Sequence, residues 1–418
     1  MKILYYFIIF IIIIILCKLY IKVKYKFWAY QPVFHYYDFW YWVLEKGIIN
    51  KDPPETNKFC NFFNIHTKKF DDLDQNTIKE IVGFIRTHYY RSKNANYLPT
   101  IENFSSYFIG NNSRTFISTY NKQTVIANKD LTTQTDNLLL GVITGRPVNI
   151  TINEPIKSKK SIKSKKSIRA HYIDYLCVHK DYRKSGIAPE IIQTHEYVQR
   201  HKNKKISVSI FKREGELTGI VSLTKYNTYQ FYIKNIRHER LPHSSMCLIE
   251  INKQNISLLI NFIYEQNFKF ECLILPDYSN LVNLVNNTFI VYGIIENGKL
   301  ISCYFFRDSF MSYDMRSERE KDLEHANGQI KRDKSIECFA SLSNCHHNEI
   351  FIKGFIDSLY KYSKKSRATL VTIENISHNN VIVNYLLNIN PILISPTAYF
   401  YYNYVKKPIL PEKAFIIC

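Results

Sequence analysis

The chain has no pair of cysteines at Cys-x-x-Cys spacing, although nine cysteines occur in its 418 residues. Their odd number and irregular spacing argue against a disulfide framework and against a zinc site. The nearest approach to a metal-ligand cluster, Cys345-His346-His347, has no partners at suitable spacing, and we interpret it as a loop. We therefore predict no metal site and expect a reducing compartment.

Acidic residues are also few. The 36 Asp and Glu residues stand against 56 Lys and Arg residues, so the formal net charge is +20. This balance indicates an anionic partner, which could be nucleic acid, a membrane surface or a phosphorylated cofactor. Because no nucleic-acid-binding motif has the required spacing, nucleic acid is the least favoured of the three. The length suits two domains of roughly 150–200 residues each.

The chain begins with one long apolar run, from Ile3 to Cys17. As a helix this run spans about 22 Å, and continuation to Ile21 brings it close to the ~30 Å of a hydrocarbon core. No small-residue cleavage site follows the run, and four lysines lie between positions 18 and 26. We therefore predict a transmembrane anchor in residues 1–24 that contacts the membrane through residues 3–21. The expected localisation is single-pass, with the main body in the cytosol.

Two later stretches follow the same plan. Asp72–Tyr90 and Glu250–Phe268 each open with cap-type residues and place apolar residues along one helix face. The first precedes a strand at Leu138–Thr144. The second precedes strands at Phe289–Ile295 and Leu300–Phe306, which an Asn-Gly turn joins as a hairpin. This repetition predicts a duplicated α/β unit with mixed sheets flanked by helices.

Two polar inserts interrupt these units. The segment Lys157–Ile168 reads KSKKSIKSKKSI, a six-residue repeat whose charges are all lysines, and we predict a disordered basic loop there. The polar segment Arg316–Lys334 is predicted to be a surface loop in the second unit.

Chemistry is indicated in the segment His171–His201. Tyr172–Val178 is predicted to be a buried strand, Arg183–Ala188 a glycine-containing basic turn, and Pro189 the first residue of a helix. A strand, a basic turn and a helix N-terminus together form an anion site suited to a pyrophosphate. The turn also matches the R-x-x-G-x-A pattern of acetyltransferase-type coenzyme A sites.

Three segments resemble one protein family. Asp174–Pro189, DYLCVHKDYRKSGIAP, closely resembles the N-F-L-C-V-H-K-x-x-R-x-x-x-x-A-P segment of the protein N-myristoyltransferases. Tyr25–Val33, YKFWAYQPV, is similar to that family's Y-x-F-W-x-T-Q-P-V segment. The chain end from Tyr399, YFYYNYVKKPILPEKAFIIC, is similar to the family's terminal segment. The resemblance therefore runs from Tyr25 to Cys418.

This resemblance implies an α/β fold made of tandem acetyltransferase-like (GNAT-type) halves related by pseudo-twofold symmetry. Residues 25–235 would form the acyl-CoA-binding half, and residues 236–418 would form a second half with the acceptor groove. We expect a monomer. The implied partners are acyl-CoA as co-substrate, with no permanently bound cofactor, and a protein or peptide with an N-terminal glycine.

The resemblance also implies roles for individual residues. The backbone amides of Tyr175 and Leu176 would bind the thioester carbonyl oxygen as an oxyanion hole. Cys177 would be part of the wall beside the thioester and not a nucleophile. The residues implied at the acyl-CoA site are Lys26, Phe27, Trp28, Tyr175, Leu176, Cys177, Val178, Lys184, Gly186, Ile187 and Ala188.

In this family the terminal carboxylate, here that of Cys418, takes a proton from the attacking amine. An α-amino group has a pKa of about 7.7–8.0 and must lose a proton to attack. Burial behind the apolar residues 415–417 would make the carboxylate more basic than in water. The implied reaction moves a long-chain acyl group, myristoyl foremost, directly to an N-terminal glycine without a covalent acyl-enzyme.

The sequence departs from the family on the acceptor side. Near Tyr89, which would contact the peptide, the family's acidic cluster is replaced by Tyr90-Arg91-Ser92-Lys93. Leu393-Ile394-Ser395 stands in place of a Gly-Asp-Gly loop, and no Tyr-Trp-His segment follows Phe211. Two alternatives therefore stay open: an acyltransferase for a different amine, or a homologue that binds acyl-CoA or an acylated peptide without turnover.

Overall fold

The computed structural model of the protein describes residues 2–24, 26–90, 94–127, 133–154, 164–241, 245–314 and 332–418. The helices in these ranges are α1 (Lys2–Lys24), α2 (Phe39–Val43), α3 (Gln75–His88), α4 (Ile101–Ser106), α5 (Ile187–Lys202), α6 (Ile256–Gln266), α7 (Tyr278–Asn287), α8 (Asn348–Ser366) and α9 (Asn379–Leu386).

Most of the strands in the same ranges belong to one large sheet. The strands are β1 (Gly47–Ile48), β2 (Ile65–Lys69), β3 (Ala95–Tyr97), β4 (Phe116–Ala127), β5 (Thr133–Glu154), β6 (Ser164–Val178), β7 (Val208–Glu214), β8 (Thr224–Tyr232), β9 (Met246–Ile251), β10 (Cys272–Leu275), β11 (Phe289–Glu296), β12 (Lys299–Tyr313), β13 (Asp333–Ser343), β14 (Leu370–Glu374), β15 (Leu393–Tyr402), β16 (Tyr404–Val405) and β17 (Ala414–Ile416).

The main sheet runs in the order β17-β10-β5-β6-β7-β15-β8-β14-β13-β12-β11-β9. Strands β5 and β6 are antiparallel, and β6 is parallel to β7, with α5 between them in the chain. Strands β12, β13 and β14 repeat this arrangement around α8. At the centre β15 pairs with β7 and β8 pairs with β14, so each set borrows a strand from the other. The expected α/β class, a mixed sheet flanked by helices, is confirmed.

The sequence patterns explain the local structure. Helix α3 begins after Asp74, whose carboxylate accepts hydrogen bonds from the amides of Asn76 and Thr77 and so satisfies two donors of the first turn. The apolar face of α3 is buried in the core. Strands β11 and β12 meet at Asn297 and Gly298, which have φ values of 49° and 76°. A tight hairpin needs these positive φ angles, and Asn-Gly supplies them.

The two predicted loops, Lys157–Ile168 and Arg316–Lys334, fall only partly within the described residues. Residues 155–163 of the basic insert and residues 315–331 of the second insert lie outside the described residues. Within the described part, β6 already begins at Ser164 and β13 at Asp333. The prediction of a loop up to Ile168 is therefore wrong, because residues 164–168 pair in register with the end of β5.

The predicted membrane anchor also needs correction. Helix α1 forms, but none of the helices in the described ranges is long and apolar enough to cross a membrane. Lys18, Lys22 and Lys24 lie in the last turns of α1, so its uninterrupted apolar part accounts for only about 22 Å, against a hydrocarbon core of ~30 Å. The predicted transmembrane helix in residues 1–24 and the single-pass localisation with a cytosolic body are therefore wrong, whereas the predicted membrane contact through residues 3–21 stays a prediction.

Candidate active site

The centre of the candidate site is an irregularity in β6. Val142 of β5 pairs with Cys177 and Thr144 pairs with Asp174, so Tyr175 and Leu176 both stand opposite the single residue Ile143. This is a β-bulge, which takes backbone groups out of the ladder. Tyr175 has a φ of 51°, an unusual angle for a non-glycine residue. The backbone at the predicted oxyanion hole is thus turned away from regular strand geometry.

Asp174 adds a carboxylate to the bulge. Its Oδ1 accepts a hydrogen bond of 2.8 Å from the Tyr175 amide, and its Oδ2 lies 3.5 Å from Nη1 of Arg146. Arg146 is buried, with its guanidinium 4.4 Å from the ring centroid of Tyr107 and 4.7 Å from that of Tyr172. One of the two predicted oxyanion donors therefore already has a local acceptor, which a thioester carbonyl would have to displace.

A gap opens beside the bulge. The last pair between the parallel strands β6 and β7 is Ile173 with Phe211, after which β7 pairs only with β15. The Trp28 ring stacks on Phe211 at this point, with ring centroids 5.9 Å apart. Phe27 is buried against Trp28 and Phe59. The aromatic segment near the N-terminus thus lies at the mouth of the gap, while Lys26 beside it is exposed.

The basic turn after β6 leads into α5. Gly186, with a φ of 92°, is the N-cap residue, and the helix starts at Ile187, two residues earlier than predicted. Lys184 is exposed and also has a positive φ, of 67°. Arg183 points back, donating from Nη2 to the carbonyl of His88 at the end of α3. A helix N-terminus beside an exposed lysine is suitable for binding a phosphate.

Tyr89 lies near the bulge, as expected of an acceptor-side residue. Its ring centroid is 6.3 Å from that of Tyr175 and 5.3 Å from that of Tyr97. Cys177 and Val178 complete β6 beyond the bulge. Burial raises the pKa of the Cys177 thiol to about 12, so this group is protonated near neutral pH and is a poor nucleophile.

The chain terminus is buried in the same region. Strand β17 runs parallel to β10, which is antiparallel to β5, and Cys418 is only 6% exposed. Its terminal carbonyl oxygen accepts a hydrogen bond of 3.1 Å from Nη1 of Arg307. Burial acts to lower the pKa of the Arg146 guanidinium. Asp174 and Cys418 act in the opposite direction, because negative charge near a guanidinium favours its charged form, and the pKa of Arg146 is raised.

Four charged side chains surround this contact, and we call them the clamp: Lys212, Arg307, Glu337 and Glu374. Nε of Arg307 lies 2.8 Å from Glu337 and its Nη2 lies 3.8 Å from Glu374. Nζ of Lys212 lies 3.0 Å from Glu374 and 3.9 Å from Glu337. The Tyr226 hydroxyl also donates to Glu374. Each charge is therefore paired, as burial requires.

The two clamp carboxyls differ in proton affinity. Burial and the neighbouring Glu337 raise the pKa of Glu374 to about 7, although Lys212 opposes this shift. Burial also acts to raise the pKa of Glu337, but Arg307 and Lys212 outweigh it and hold that pKa below its usual range. The clamp thus contains one firmly ionised carboxylate and one carboxyl that can change its charge near neutral pH.

The sequence patterns did not identify Arg146 or the clamp. A usable signal was present, because Arg307, Glu337 and Glu374 are charged residues inside otherwise apolar strands. Such residues are rarely buried unless they are paired. Pairing partners on strands far apart in the chain cannot be assigned from one sequence alone.

The fold matches solved structures over most of its length. A crystal structure of Saccharomyces cerevisiae N-myristoyltransferase with bound myristoyl-CoA has a TM-score of 0.68 at 13% identity, covering 92% of this chain and 94% of that chain. A second structure of the yeast protein with bound myristoyl-CoA has a TM-score of 0.69 at 13% identity, covering 93% and 90%. The chain therefore has the N-myristoyltransferase fold.

A family model also matches part of the sequence. The model of the family "Myristoyl-CoA:protein N-myristoyltransferase, N-terminal domain" matches residues 46–223, which contain the β6 bulge and the basic turn. No curated protein matches the sequence. The resemblance to the N-myristoyltransferase family that the motifs predict is confirmed by this match over residues 46–223.

Proposed function

We propose that this protein transfers a long-chain acyl group, myristoyl foremost, from acyl-CoA to the N-terminal glycine amine of a protein or peptide. The observation that carries the proposal is the bulge at Tyr175 and Leu176, which turns backbone amides out of the ladder beside the gap between β6 and β7. Two preorganised donors at a developing oxyanion commonly contribute several kcal/mol to transition-state stabilisation.

The acyl-CoA site lies along this gap. The pyrophosphate binds at the turn formed by Lys184, Gly186, Ile187 and Ala188, where a helix begins. Lys26, Phe27 and Trp28 cover the coenzyme at the mouth of the gap, and Cys177 and Val178 form the wall beyond the thioester. Support comes from the Trp28 ring on Phe211 and from the family match over the turn.

The carboxylate of Cys418 is the proton acceptor. Its burial next to Arg146, which also contacts Asp174 at the bulge, supports a place close to the thioester carbonyl. Tyr89, beside the Tyr175 ring, contacts the arriving peptide.

The reaction is a direct transfer. The carboxylate takes one proton from the acceptor ammonium, and the freed amine forms a bond to the thioester carbon. The negative charge that develops on the carbonyl oxygen is held by the amides of Tyr175 and Leu176. Collapse breaks the carbon–sulfur bond, and the second nitrogen proton passes to the departing thiolate of coenzyme A. No acyl-enzyme forms, in accord with the high pKa of about 12 of the Cys177 thiol.

We also propose that residues 25–235 and 236–418 are tandem acetyltransferase-like halves related by pseudo-twofold symmetry, which work as a monomer. The strand order supports this division, because β5, β6, α5 and β7 have counterparts in β12, β13, α8 and β14. The exchange of β8 and β15 at the centre of the sheet is itself symmetric.

The test is transfer of labelled myristoyl-CoA to a library of peptides with N-terminal glycine, using the full chain. Two variants separate the carboxylate from the rest of Cys418. Cys418→Ala removes the thiol and keeps a carboxylate in place, whereas deletion of Cys418 withdraws the carboxylate by one residue. We expect near-normal transfer by Cys418→Ala and a loss of at least about 100-fold on deletion, with acyl-CoA binding kept.

Other results would favour other functions. Transfer only to lysine side chains or small amines would indicate a different acceptor, for which the changed acceptor-side motifs leave room. Tight acyl-CoA binding without any transfer would indicate a binding protein. In that case the hydrogen bond from the Tyr175 amide to the Asp174 carboxylate would explain the inactivity, because it occupies one of the two proposed oxyanion donors.

A further inference from the structure

The oxygen of Cys418 has a single cationic partner within hydrogen-bond distance among the described residues, and this partner is itself tightly held. The Arg307 guanidinium uses Nη1 for Cys418, Nε for Glu337 and Nη2 toward Glu374. Its side chain is 19% exposed, and its plane lies 4.7 Å from the Phe339 ring centroid. Because Glu337, Glu374 and the Phe339 ring fix the planar guanidinium, Nη1 can donate to the chain end in one direction only.

We propose that Arg307 is a positioning residue that fixes the terminal carboxylate for the incoming amine, and that Glu337 and Glu374 hold its guanidinium in place. The proposal rests on the proposed function, in which this carboxylate accepts the proton. It extends that function to four residues, Lys212, Arg307, Glu337 and Glu374, to which the sequence resemblance gives no role.

The last residues of a chain lose order unless they are tied down. Strand β17 ends at Ile416, and the amide of Ile417 still donates to the Ile274 carbonyl, 2.8 Å away. Beyond that bond, the Arg307 contact is what directs the Cys418 oxygen. A base displaced by about 1 Å can lose a large part of its effect, so this contact has a direct bearing on rate.

The charge balance at the chain end is compatible with a cationic acceptor. The carboxylates of Asp174, Glu337, Glu374 and the terminus face three cations, Arg146, Arg307 and Lys212. One negative charge is left uncompensated when all four are ionised. Glu214, also on Lys212, is more than half exposed and lies toward solvent. A proton on Glu374 compensates the remaining charge below about pH 7, and a cationic acceptor, such as the ammonium of a peptide N-terminus, compensates it when Glu374 is ionised.

The same geometry has a pH signature. Arg146, Arg307, Asp174 and Glu374 are the charged groups that act on the Cys418 side chain, and of these Arg307 also donates to the terminal oxygen. A guanidinium beside a carboxylate favours its ionised form. Removal of the Arg307 charge therefore moves titration of the terminal carboxylate to higher pH, and the acidic limb of the rate profile moves with it.

The first experiment compares Arg307→Lys and Arg307→Gln with the wild type in the full chain. We expect both to lower kcat at least tenfold, with the KM for acyl-CoA unchanged. Only Arg307→Gln should move the acidic limb of the kcat/KM profile upward, because Arg307→Lys keeps the charge. A purely structural role would lower the profile at all pH values without moving the limb, and would overturn the proposal.

A second variant tests the hold on Arg307. If Glu337 acts through Arg307, Glu337→Gln combined with Arg307→Lys should lower kcat no more than Arg307→Lys alone. Additive losses would show that Glu337 acts elsewhere. Thermal unfolding of each variant is measured in parallel. If Arg307→Gln does not fold, the comparison of Arg307→Lys with the double variant still tests the proposal, because both of these variants keep a buried cation at position 307.

A measurement independent of turnover separates this inference from the proposed function. With cysteine labelled at the carbonyl carbon, deletion of Cys418 identifies the terminal resonance among nine. We expect its titration midpoint to lie at higher pH in Arg307→Gln than in the wild type. An unchanged midpoint would overturn the inference even in an active enzyme. A shifted midpoint without any acyl transfer would support the contact between Arg307 and the terminal carboxylate, and would contradict the proposed role of that carboxylate as proton acceptor.

Discussion

The two comparable strands β6 and β13 are both interrupted by a bulge, and the two bulges differ in what fills them. In β6 the extra residues leave Leu176 41% exposed and turn the Tyr175 backbone. In β13 the extra residue is Phe339, between the pairs Phe305 with Ala340 and Phe306 with Cys338. Its side chain is buried against the rings of Phe289 and Phe305. The same departure from strand geometry is the proposed site in one place and part of the core in the other.

The helices that follow these strands differ in the same way. Helix α5 begins at a basic, glycine-containing turn, and it buries His195, Glu196 and Gln199 toward the sheet. Helix α8 begins after His347 without such a turn, and the side chains it buries include Phe351 and Phe355. The proposed ligand site is therefore concentrated in the first proposed half, whereas the second supplies packing and three of the four clamp residues.

The largest effect is expected at the filled bulge. Phe339→Ala would leave a cavity among aromatic rings, and we expect a loss of about 3–5 kcal/mol in the free energy of unfolding. Leu176→Ala, at the open bulge, should change this free energy by less than about 1 kcal/mol, because the side chain is already partly in solvent. Urea unfolding of both variants measures the difference. Equal losses would contradict the distinction between core and site.

The turn before α5 comes next in size. Gly186→Val places a β-branched residue at a φ of 92°, where open space surrounds the missing side chain, so the strain is in the backbone. Gly298→Val, at a φ of 76° and equally open, is the matched control in the β11–β12 hairpin. We expect each to lose about 1–2 kcal/mol of stability. Only Gly186→Val should weaken acyl-CoA binding, by about tenfold or more, in a titration with non-hydrolysable acyl-CoA.

A smaller, pH-dependent effect is expected on the polar face of α5. Burial raises the pKa of Glu196 to about 7, against the opposing effects of Arg200 and Ser209. Between the usual range of a glutamate and about pH 7 the folded state holds the extra proton, so stability falls as the pH rises. Glu196→Gln should remove this loss, gaining about 2 kcal/mol relative to the wild type between pH 4.5 and 7.5.

The control for this measurement is Glu80→Gln on the exposed face of α3. Its pH dependence should follow the wild type, because an exposed carboxylate is solvated in both states. A pH-independent difference between Glu196→Gln and the wild type would show that the Glu196 side chain gains no proton on folding.

Contiguous segments were predictable, and long-range clusters were not. The strand, turn and helix start of residues 174–189 follow one another in the chain, so their motif was sufficient. Strand β5 was predicted only at Leu138–Thr144, since polar residues further along hide its alternation. Asn149 and Asn153 lie in that extension and bond to Asp277 and to the Asn267–Phe270 turn, contacts that exist only in the fold. The clamp was not predicted for the same reason, because its four residues lie on strands far apart in the chain and meet only in the fold.

The crossed central strands have a consequence for assembly. Strand β8 lies between β15 and β14, and β15 lies between β7 and β8, so either set of strands alone would expose an open sheet edge. A chain that presents such edges during folding can close them with its own partner strand or with that of a second chain. Two copies can then exchange these strands and form a domain-swapped dimer in which β15 still pairs with β7 and β8 still pairs with β14. High concentration during refolding favours this product, and size-exclusion chromatography would separate it from the monomer.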